Sequence, residues 1–475
     1  MAARPIRHAL TLVALNIGIC GALAMPTTIA VAPVIGFMPV TPRPRAWRHV
    51  STMSVAANPP PPPPPRARLQ LDQSARVQLS VLLGCGMVAQ MGIGMIVPLL
   101  PMYAERIGLA ASGVGLVVAM PSIARLLLNL PLGALSDAYG RKLPLVIGSI
   151  VEAIGSIGTA LATSLGSLLV PRLLVGAGSS AASAAGNAMF MDVVERYPSH
   201  RGLLLGSSQA VLTLAFAAGP AVGGLLADAT GNAALPFGIF GLTLLASAPL
   251  YYFLLPNERL KQATADKEQP RAAAVGDAAR ASLRSFGQLL TQRPQLALLA
   301  MRFGLITGWS AWLTVLPLHA RACWGATAGD LGRMFSIVAL LGFASAPLGG
   351  WLADRFGRTP VIAAGSAVSA ISIGALPWAT GKLAFYACMA CWDVGEAVLT
   401  AAMSALAADV TPAEQRGAQS SLINQVQDAT FVGMPVLLGA IAGAHSCSAA
   451  LLTTAGVAMA CNVAFALLMR PPRRV

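Results

Sequence analysis

Twelve apolar stretches, each long enough to cross a lipid bilayer, limit this chain to one kind of structure. They lie between residues 77 and 469, and most of them are separated by short polar breaks. A spanning helix needs about 20 mostly apolar residues, and backbone inside a bilayer must satisfy its hydrogen bonds internally. Only 11% of the 475 residues are charged, whereas 56% are hydrophobic. Because soluble domains carry about twice that share of charge, the sequence predicts an all-α membrane protein.

The longest break, over residues 256–294, divides the spans into two groups of six. We therefore expect one six-helix bundle over 72–255, a linker over 256–294 and a second bundle over 295–475. Most of the net charge of +14 comes from the leader and from loops on one face. The positive-inside rule places those loops and the linker on the cytoplasm-like side. This placement explains the basic excess better than nucleic-acid binding does.

The first 71 residues contain no Asp or Glu and differ from the rest of the chain. Arg4 and Arg7 precede an apolar run, and the prolines from Pro59 to Pro65 form an extended spacer at the end of the segment. This pattern predicts a targeting presequence that is cleaved or disordered. Its two-part form resembles the presequences of algae with secondary plastids, which predicts a plastid membrane. The alternatives are a secretory signal, a mitochondrial presequence or an extra span over 9–40, with the plasma membrane or another endomembrane as the location.

A short charged pattern occurs twice, 217 positions apart. Its members are Gly133, Asp137, Gly140 and Arg141 in the first copy and Gly350, Asp354, Gly357 and Arg358 in the second. Asp192 and Asp409, which end the fourth and tenth spans, have the same offset. Such a duplication predicts two related halves. This organisation is typical of transporters whose substrate site lies between the halves.

The twelve spans, the central break and the paired loops resemble the major facilitator superfamily. Two further motifs support the resemblance. Arg172, Gly176 and Gly178 in the fourth span resemble its proton-linked arginine motif. The fifth span resembles its antiporter motif at Gly206, Gly219, Pro220, Gly223 and Gly224, with Ala215 in place of one glycine. The resemblance implies two pseudo-symmetric six-helix bundles around a cavity, and it points to the 12-span drug–proton antiporter branch.

The resemblance also implies a role for the paired loops. Arg141 is expected to pair with Asp192, and Arg358 with Asp409, so that the loops latch an outward-facing state. A solvated turn that obeys the positive-inside rule is the alternative interpretation.

Small residues on the fifth span predict a close contact between helices. Gly219 and Gly223 lie on one face, and Pro220 and Gly224 lie beside them. The eighth span carries a similar stripe at Gly342, Ala346 and Gly350, beside Pro347. We expect the two stripes to meet across the two halves and to act as a hinge.

Two charged residues lie at similar depths in different halves. Arg125 in the second span is about 18 Å from the linker side, and Asp428 in the eleventh span is about 16 Å from it. This match predicts a polar pair across the halves. Pairing of each residue within its own half is the alternative.

Other ionisable residues in the spans are candidates for proton coupling. A lone arginine such as Arg172 costs about 2.5–3.5 kcal/mol in mid-span, so we expect it to face a wet cavity, with snorkelling as the alternative. Carboxyl groups in apolar surroundings favour their protonated form, which makes Glu152, Asp393 and Glu396 possible proton carriers. Spans one, four, seven and ten line the cavity in the family that this chain resembles. This favours Asp393 and Glu396 over Glu152.

Four further residues are candidates for the substrate cavity. They are Gln90, Asn187, Trp309 and Trp392. The tryptophans, together with Trp312, suit an apolar or cationic solute, although packing is an equally good interpretation.

These features predict a secondary active transporter that moves a small organic solute by H⁺ antiport through alternating access. A uniporter or an H⁺ symporter for a metabolite is the first alternative, and a non-transporting membrane sensor or scaffold is the second. The expected partners are the solute, H⁺ and the bilayer, with no nucleic acid and a monomeric chain. The sequence contains no GxxxxGK[ST] phosphate loop, and its five histidines lack metal-ligand spacing. We therefore expect no ATP use, no enzyme activity, no cofactor and no metal.

Overall fold

A computed structural model describes residues 71–256, 284–412 and 415–470, except for the side chains of residues 130, 134 and 137–139. Within these residues, twelve helices are long and apolar enough to cross a membrane. They are α1 Gln73–Arg106, α2 Ala111–Tyr139, α3 Lys142–Leu161, α4 Leu165–Glu195, α5 Arg201–Thr230, α6 Leu235–Leu254, α7 Arg293–Thr314, α8 Ala328–Phe356, α9 Arg358–Ala375, α10 Lys382–Val410, α11 Arg416–Ala444 and α12 Cys447–Leu468. The predicted all-α membrane fold is confirmed. The predicted presequence lies, except for its last residue, outside the described residues, as does most of the predicted linker.

Short connections make consecutive helices run in opposite directions. The start of α1 and the end of α6 therefore lie on the same side, and so do the start of α7 and the end of α12. We call this side, where α6 ends and α7 begins, the linker side. We call the opposite side the far side.

The duplicated pattern forms the same turn in both halves. Helix α2 is followed by Gly140 with φ 93° and ψ 153°, and α8 is followed by Gly357 with φ 89° and ψ 153°. Glycine is the residue that adopts this conformation without strain. Arg141 then directly precedes α3, and Arg358 is the first residue of α9. The sequence repeat is therefore also a repeat of backbone geometry.

Two local features of the second half differ from the predicted spans. Helix α7 ends at Thr314, and a separate short helix runs from Leu316 to Trp324. Pro317 is in the first turn of that helix, where its nitrogen cannot donate a hydrogen bond to the preceding turn. Residues 284–290, which were predicted as linker, form a helix. Its Phe286 and Leu289 pack against Leu422 of α11.

The two bundles contact each other through α2 with α11 and through α5 with α8. A Cβ atom at Gly224 would overlap the α8 backbone, and one at Gly115 would overlap the α11 backbone. Both contacts lie toward the far side. Nearer the linker side, a Cβ atom on Gly133, Gly206 or Gly350 would enter open space. The bundles therefore meet at the far side and diverge toward the linker side.

The small residues of α5 face two different helices. A Cβ atom at Gly219 would overlap the α1 backbone, and one at Gly223 would lie 2.8 Å from an α1 backbone oxygen. Pro220 and Gly224 are one position further along, which turns them by about 100° so that they face α8. The prediction that Gly219 and Gly223 meet the eighth span is therefore wrong. They hold α5 against α1 within the first bundle.

The contact surface of α8 also differs from the predicted stripe. Gly342 packs against α10, and Gly350 faces open space. Helix α8 instead presents Gly332, where a Cβ atom would overlap the α5 backbone. The Ser336 hydroxyl accepts a hydrogen bond of 2.9 Å from the α5 backbone. The contact between α5 and α8 thus lies about three turns closer to the far side than predicted.

Gly219→Ala should destabilise the first bundle by about 1–3 kcal/mol, because the added methyl group overpacks the α1–α5 contact. Gly206→Ala on the same helix is the matched control, since its methyl group would enter open space. The measurement is the melting temperature of each detergent-solubilised variant. Equal melting temperatures for the two variants would contradict the assigned contact.

Candidate functional site

Among the described residues, seven charged side chains lie at least seven positions from either end of their helix. They are the arginines Arg125, Arg172 and Arg302 and the acids Glu152, Asp393, Glu396 and Asp428. We call these residues the mid-helix ions. Charges at such depths are costly in a bilayer and mark candidate functional positions.

The structure brings Arg125 and Asp428 together across the two bundles. Arg125 Nε lies 3.0 Å from Asp428 Oδ1, and Asn129 Nδ2 donates to Asp428 Oδ2 at 2.8 Å. Ser122 and Ser180 complete the network by bonding to Arg125 and Asn129 respectively. Asp428 is only 4% exposed. Both oxygens of this α11 carboxylate are therefore bound by α2 of the other bundle.

The structure places Arg172 beside Glu152 rather than beside Asp393 and Glu396. Glu152 is buried on α3 and interacts electrostatically with both Arg172 and Arg125. It reaches this position because α3 and α4 are closely packed at Gly178, where a Cβ atom would overlap the α3 backbone. This close approach brings Glu152 to Arg172, whereas the sequence favoured Asp393 and Glu396. Arg172 is also buried, and its Nε has no hydrogen-bond partner among the described residues.

The two acids of α10 lie in the second bundle and face different helices. Glu396 is buried, accepts a hydrogen bond from the Trp309 indole and lies against α7. The Asp393 carboxylate lies against Gly342 of α8, in space that any larger residue would fill. Asp393 Oδ2 is buried without a hydrogen-bond partner in the described part of the chain. Such an oxygen can accept a proton or a ligand donor.

Aromatic rings from both bundles lie beside Glu396 of this pair. Trp309 lies 5.1 Å from Trp312 and 6.4 Å from Trp392 between ring centroids. Phe216 of α5 lies 6.3 Å from Trp309, and Phe335 of α8 lies 4.6 Å from Trp312. We call these five residues the aromatic cluster. Its rings and the nearby carboxylates together suit an apolar or cationic group.

The other two candidate cavity residues are on the first bundle. Gln90 is half-buried on α1, and Asn187 is exposed on α4. Among the described side chains, no hydrogen bond links either of them to a mid-helix ion. Their place in a substrate cavity stays a prediction.

The paired loops have the same contacts in each half. Arg141 bonds to the Asp192 carboxylate and to the α4 backbone, and Arg358 bonds to the Asp409 carboxylate and to the α10 backbone. Each pair lies within one bundle. Asp354 is exposed, and the side chain of Asp137 lies outside the described part of the structure. Both pairs are present while the bundles diverge at the linker side, so they do not by themselves select an outward-facing state.

Arg302 of α7 is a further mid-helix ion, outside the site residues that the sequence predicted. Its Nη2 donates a hydrogen bond to Gln427 of α11. A lone arginine in mid-span is the same signal that singled out Arg172, so the sequence held the information. Within the described residues, no group of three or more His, Cys, Asp or Glu side chains could hold a metal ion.

Comparison with known proteins agrees with this architecture. The sequence profile of the Major Facilitator Superfamily matches residues 82–322 and 308–475. An uncharacterised MFS-type transporter of Methanocaldococcus jannaschii is 26% identical over 167 residues, which are 35% of this chain and 42% of that protein. The quinolone resistance protein NorA of Staphylococcus aureus is 28% identical over 152 residues, 32% of this chain and 38% of that protein. The matches therefore span about two fifths of the length of these relatives.

Solved structures share the fold at low sequence identity. The nucleoside transporter NupG superposes with a TM-score of 0.68 at 14% identity, covering 83% of this chain and all of that one. A bacterial homologue of the human lysosomal transporter Spinster, in an inward-facing and occupied conformation, also gives 0.68 at 14% identity. It covers 84% of this chain and 97% of that one.

Arg125→Leu and Asp428→Leu should each destabilise the protein by about 3–5 kcal/mol, because each leaves the other charge buried without its partner. The double variant should lose much less than the sum of the two. Unfolding of the purified variants in detergent measures the coupling, and Asn129→Ala is the control that keeps both charges. Additive losses would reject the pair.

Proposed function

The chain belongs to the major facilitator superfamily of transporters, and we propose that it exchanges H⁺ for a small organic solute by alternating access. It is a multi-pass integral membrane protein.

The charge balance of the mid-helix ions carries the proposal. Four acids face three arginines among the described residues, so full ionisation leaves one negative charge in excess. An uncompensated charge in mid-span is costly, and binding of one proton removes it. Glu152, Asp393 and Glu396 are the proposed proton carriers, and Arg172 is the proposed regulator of proton affinity. Glu152 joins the set because it is the acid that interacts with Arg172.

The pair between Arg125 and Asp428 supports coupling of charge to movement. Its atoms belong to opposite bundles, so separation of α2 from α11 must break or rearrange it. Asp428 is nearly inaccessible to solvent here. A bundle movement that strands its charge favours uptake of a proton or of a new cationic partner.

The aromatic cluster supports an apolar or cationic organic solute. Its Trp309 indole donates to Glu396, and its rings come from both bundles, so a solute among them would contact both halves. The name of NorA, a quinolone resistance protein, adds support for export of drug-like compounds. Gln90 and Asn187 are proposed as further polar groups of the same cavity.

A uniporter or H⁺ symporter for a metabolite is the second candidate. It is favoured by Ala215, which replaces a glycine of the antiporter motif. A non-transporting sensor or scaffold is the third candidate. It is disfavoured because a chain without transport gains nothing from seven charges in mid-helix.

Arg172→Ala should reduce proton-linked transport at least tenfold, because Glu152 then loses one of its two positive partners. Proteoliposomes containing a pH-sensitive dye would report H⁺ movement as a panel of aromatic cations and neutral metabolites is added. Arg333→Ala is the control, because it changes an exposed arginine near the start of α8. Solute flux that ignores the pH gradient would identify a uniporter, and lack of flux across the panel would favour the scaffold.

Arg141→Ala should shift the balance between the two conformations several-fold, because the loop is no longer tied to α4. We propose that the loop pairs act in this way as a latch. Spin labels on the far side, at the start of α2 and the end of α11, would measure the separation of the bundles. Lys142→Ala is the neighbouring control, since its ammonium group binds the Leu255 carbonyl at 2.8 Å instead. Unchanged distances together with unchanged transport would remove the latch.

A further inference from the structure

Arg302 is a mid-helix ion with an incomplete set of partners. It lies nine positions into α7, about 13 Å from the linker-side end. Its guanidinium donates to the Gln427 side chain, and its Nε is buried without a hydrogen-bond partner among the described residues. An arginine held in mid-span by a neutral amide needs a negative charge nearby. The structure supplies that charge without direct contact.

Glu396 is the acid that interacts electrostatically with Arg302. Arg302 and Trp309 are seven positions apart on α7, so they lie on one face two turns from each other. Trp309 donates to Glu396, which places the carboxylate above the guanidinium on that face. The described ion pairs include no carboxylate within 4.0 Å of Arg302. Their interaction therefore acts at longer range, through a poorly solvated region.

Few other charges in the described part of the chain face Glu396. Asp393 precedes it on the same helix and is also negative. Helix α8 contributes Gly342 beside Asp393, and α9 contributes Gly365 and Ser369, none of which is charged. Among the cations of the described residues, Arg302 is thus the one that interacts with Glu396.

Arg302 is also connected to the contact between the bundles. Gln427, which accepts its hydrogen bond, directly precedes Asp428 on α11. These two side chains point about 100° apart on the helix. Gln427 therefore faces α7, while Asp428 faces Arg125 on α2. A rotation of α11 that alters one contact must alter the other.

We propose that Arg302 is a positioning residue for Glu396. It sets the pH at which Glu396 releases its proton, and Gln427 links this charge to the Asp428 contact with the first bundle. The inference rests on the proposed H⁺ exchange and adds to it a residue outside the arginine motif. Loss of the positive charge should favour the protonated acid, so Glu396 should hold its proton up to a higher pH.

The test is the pH dependence of ethidium-driven H⁺ release from proteoliposomes containing the full chain. Arg302→Gln removes the charge but keeps a polar side chain for Gln427. In this variant we expect the midpoint of H⁺ release against pH to move up by about one pH unit, a tenfold change in proton affinity. Arg302→Lys should keep the midpoint within about half a unit, since it retains the charge. A melting temperature for each variant shows whether the fold is intact.

Two results separate this inference from the proposed function. In a Glu396→Gln background, Arg302→Gln should produce no further shift, because the group that it regulates is gone. If the wild-type chain moves H⁺ but Arg302→Gln has the same pH midpoint as the wild type, the role of Arg302 is overturned and the H⁺ exchange stands. A wild-type chain whose ethidium flux ignores pH would overturn the H⁺ exchange itself. If Arg302→Gln does not fold, the test rests on Arg302→Lys, which must keep the pH midpoint of H⁺ release. A shift of that midpoint by a full pH unit in Arg302→Lys would overturn the inference.

Discussion

The cost of holding charge within a bilayer governs the centre of this protein. A charge at that depth is costly unless it meets an opposite charge or binds a proton, because water is scarce there. The clearest case is Asp428, whose two oxygens are bound by Arg125 and Asn129 of the opposite bundle. Two further pairs interact at longer range, Arg172 with Glu152 and Arg302 with Glu396, whereas Asp393 has no positive partner among the described residues. The polar centre is therefore one connected set of charges that extends across both halves.

The repeat that shapes the backbone does not extend to these charges. The turns at Gly140 and Gly357 have nearly the same angles, and each following arginine bonds to an aspartate 51 positions later in the chain. In the polar centre, by contrast, the position of Arg125 is occupied by Gly342 in the second half, 217 positions later. The first half contributes two arginines and one acid, whereas the second contributes one arginine and three acids. The halves thus carry opposite net charge in mid-helix and attract each other across their interface.

Much of this arrangement could be predicted from the sequence, because hydropathy determines which segments span and helical rise determines depth. The twelve helices and the match of Arg125 with Asp428 are of this kind. The neighbours of a residue around the helix axis are harder to infer. Gly219 and Gly224 differ by about 140° in direction, and only the packed structure shows which one faces the other bundle. Glu152 reaches Arg172 because a glycine on α4 lets α3 approach, and one sequence does not reveal that approach.

The contacts that close the far side are weaker than those in the centre. Arg321 and Glu105 join the bundles at 3.0 Å, but their side chains are 43% and 47% exposed. Exposed pairs of this type contribute about 0–1 kcal/mol. Asp228 of α5 accepts hydrogen bonds from the Gly329 backbone at 2.9 Å and from the Thr327 hydroxyl, also near water. Water can replace all of these partners when the far side opens, but it cannot as readily replace those of Asp428, which is 4% exposed. The charge state of the centre should therefore influence the balance between conformations more than the surface contacts do.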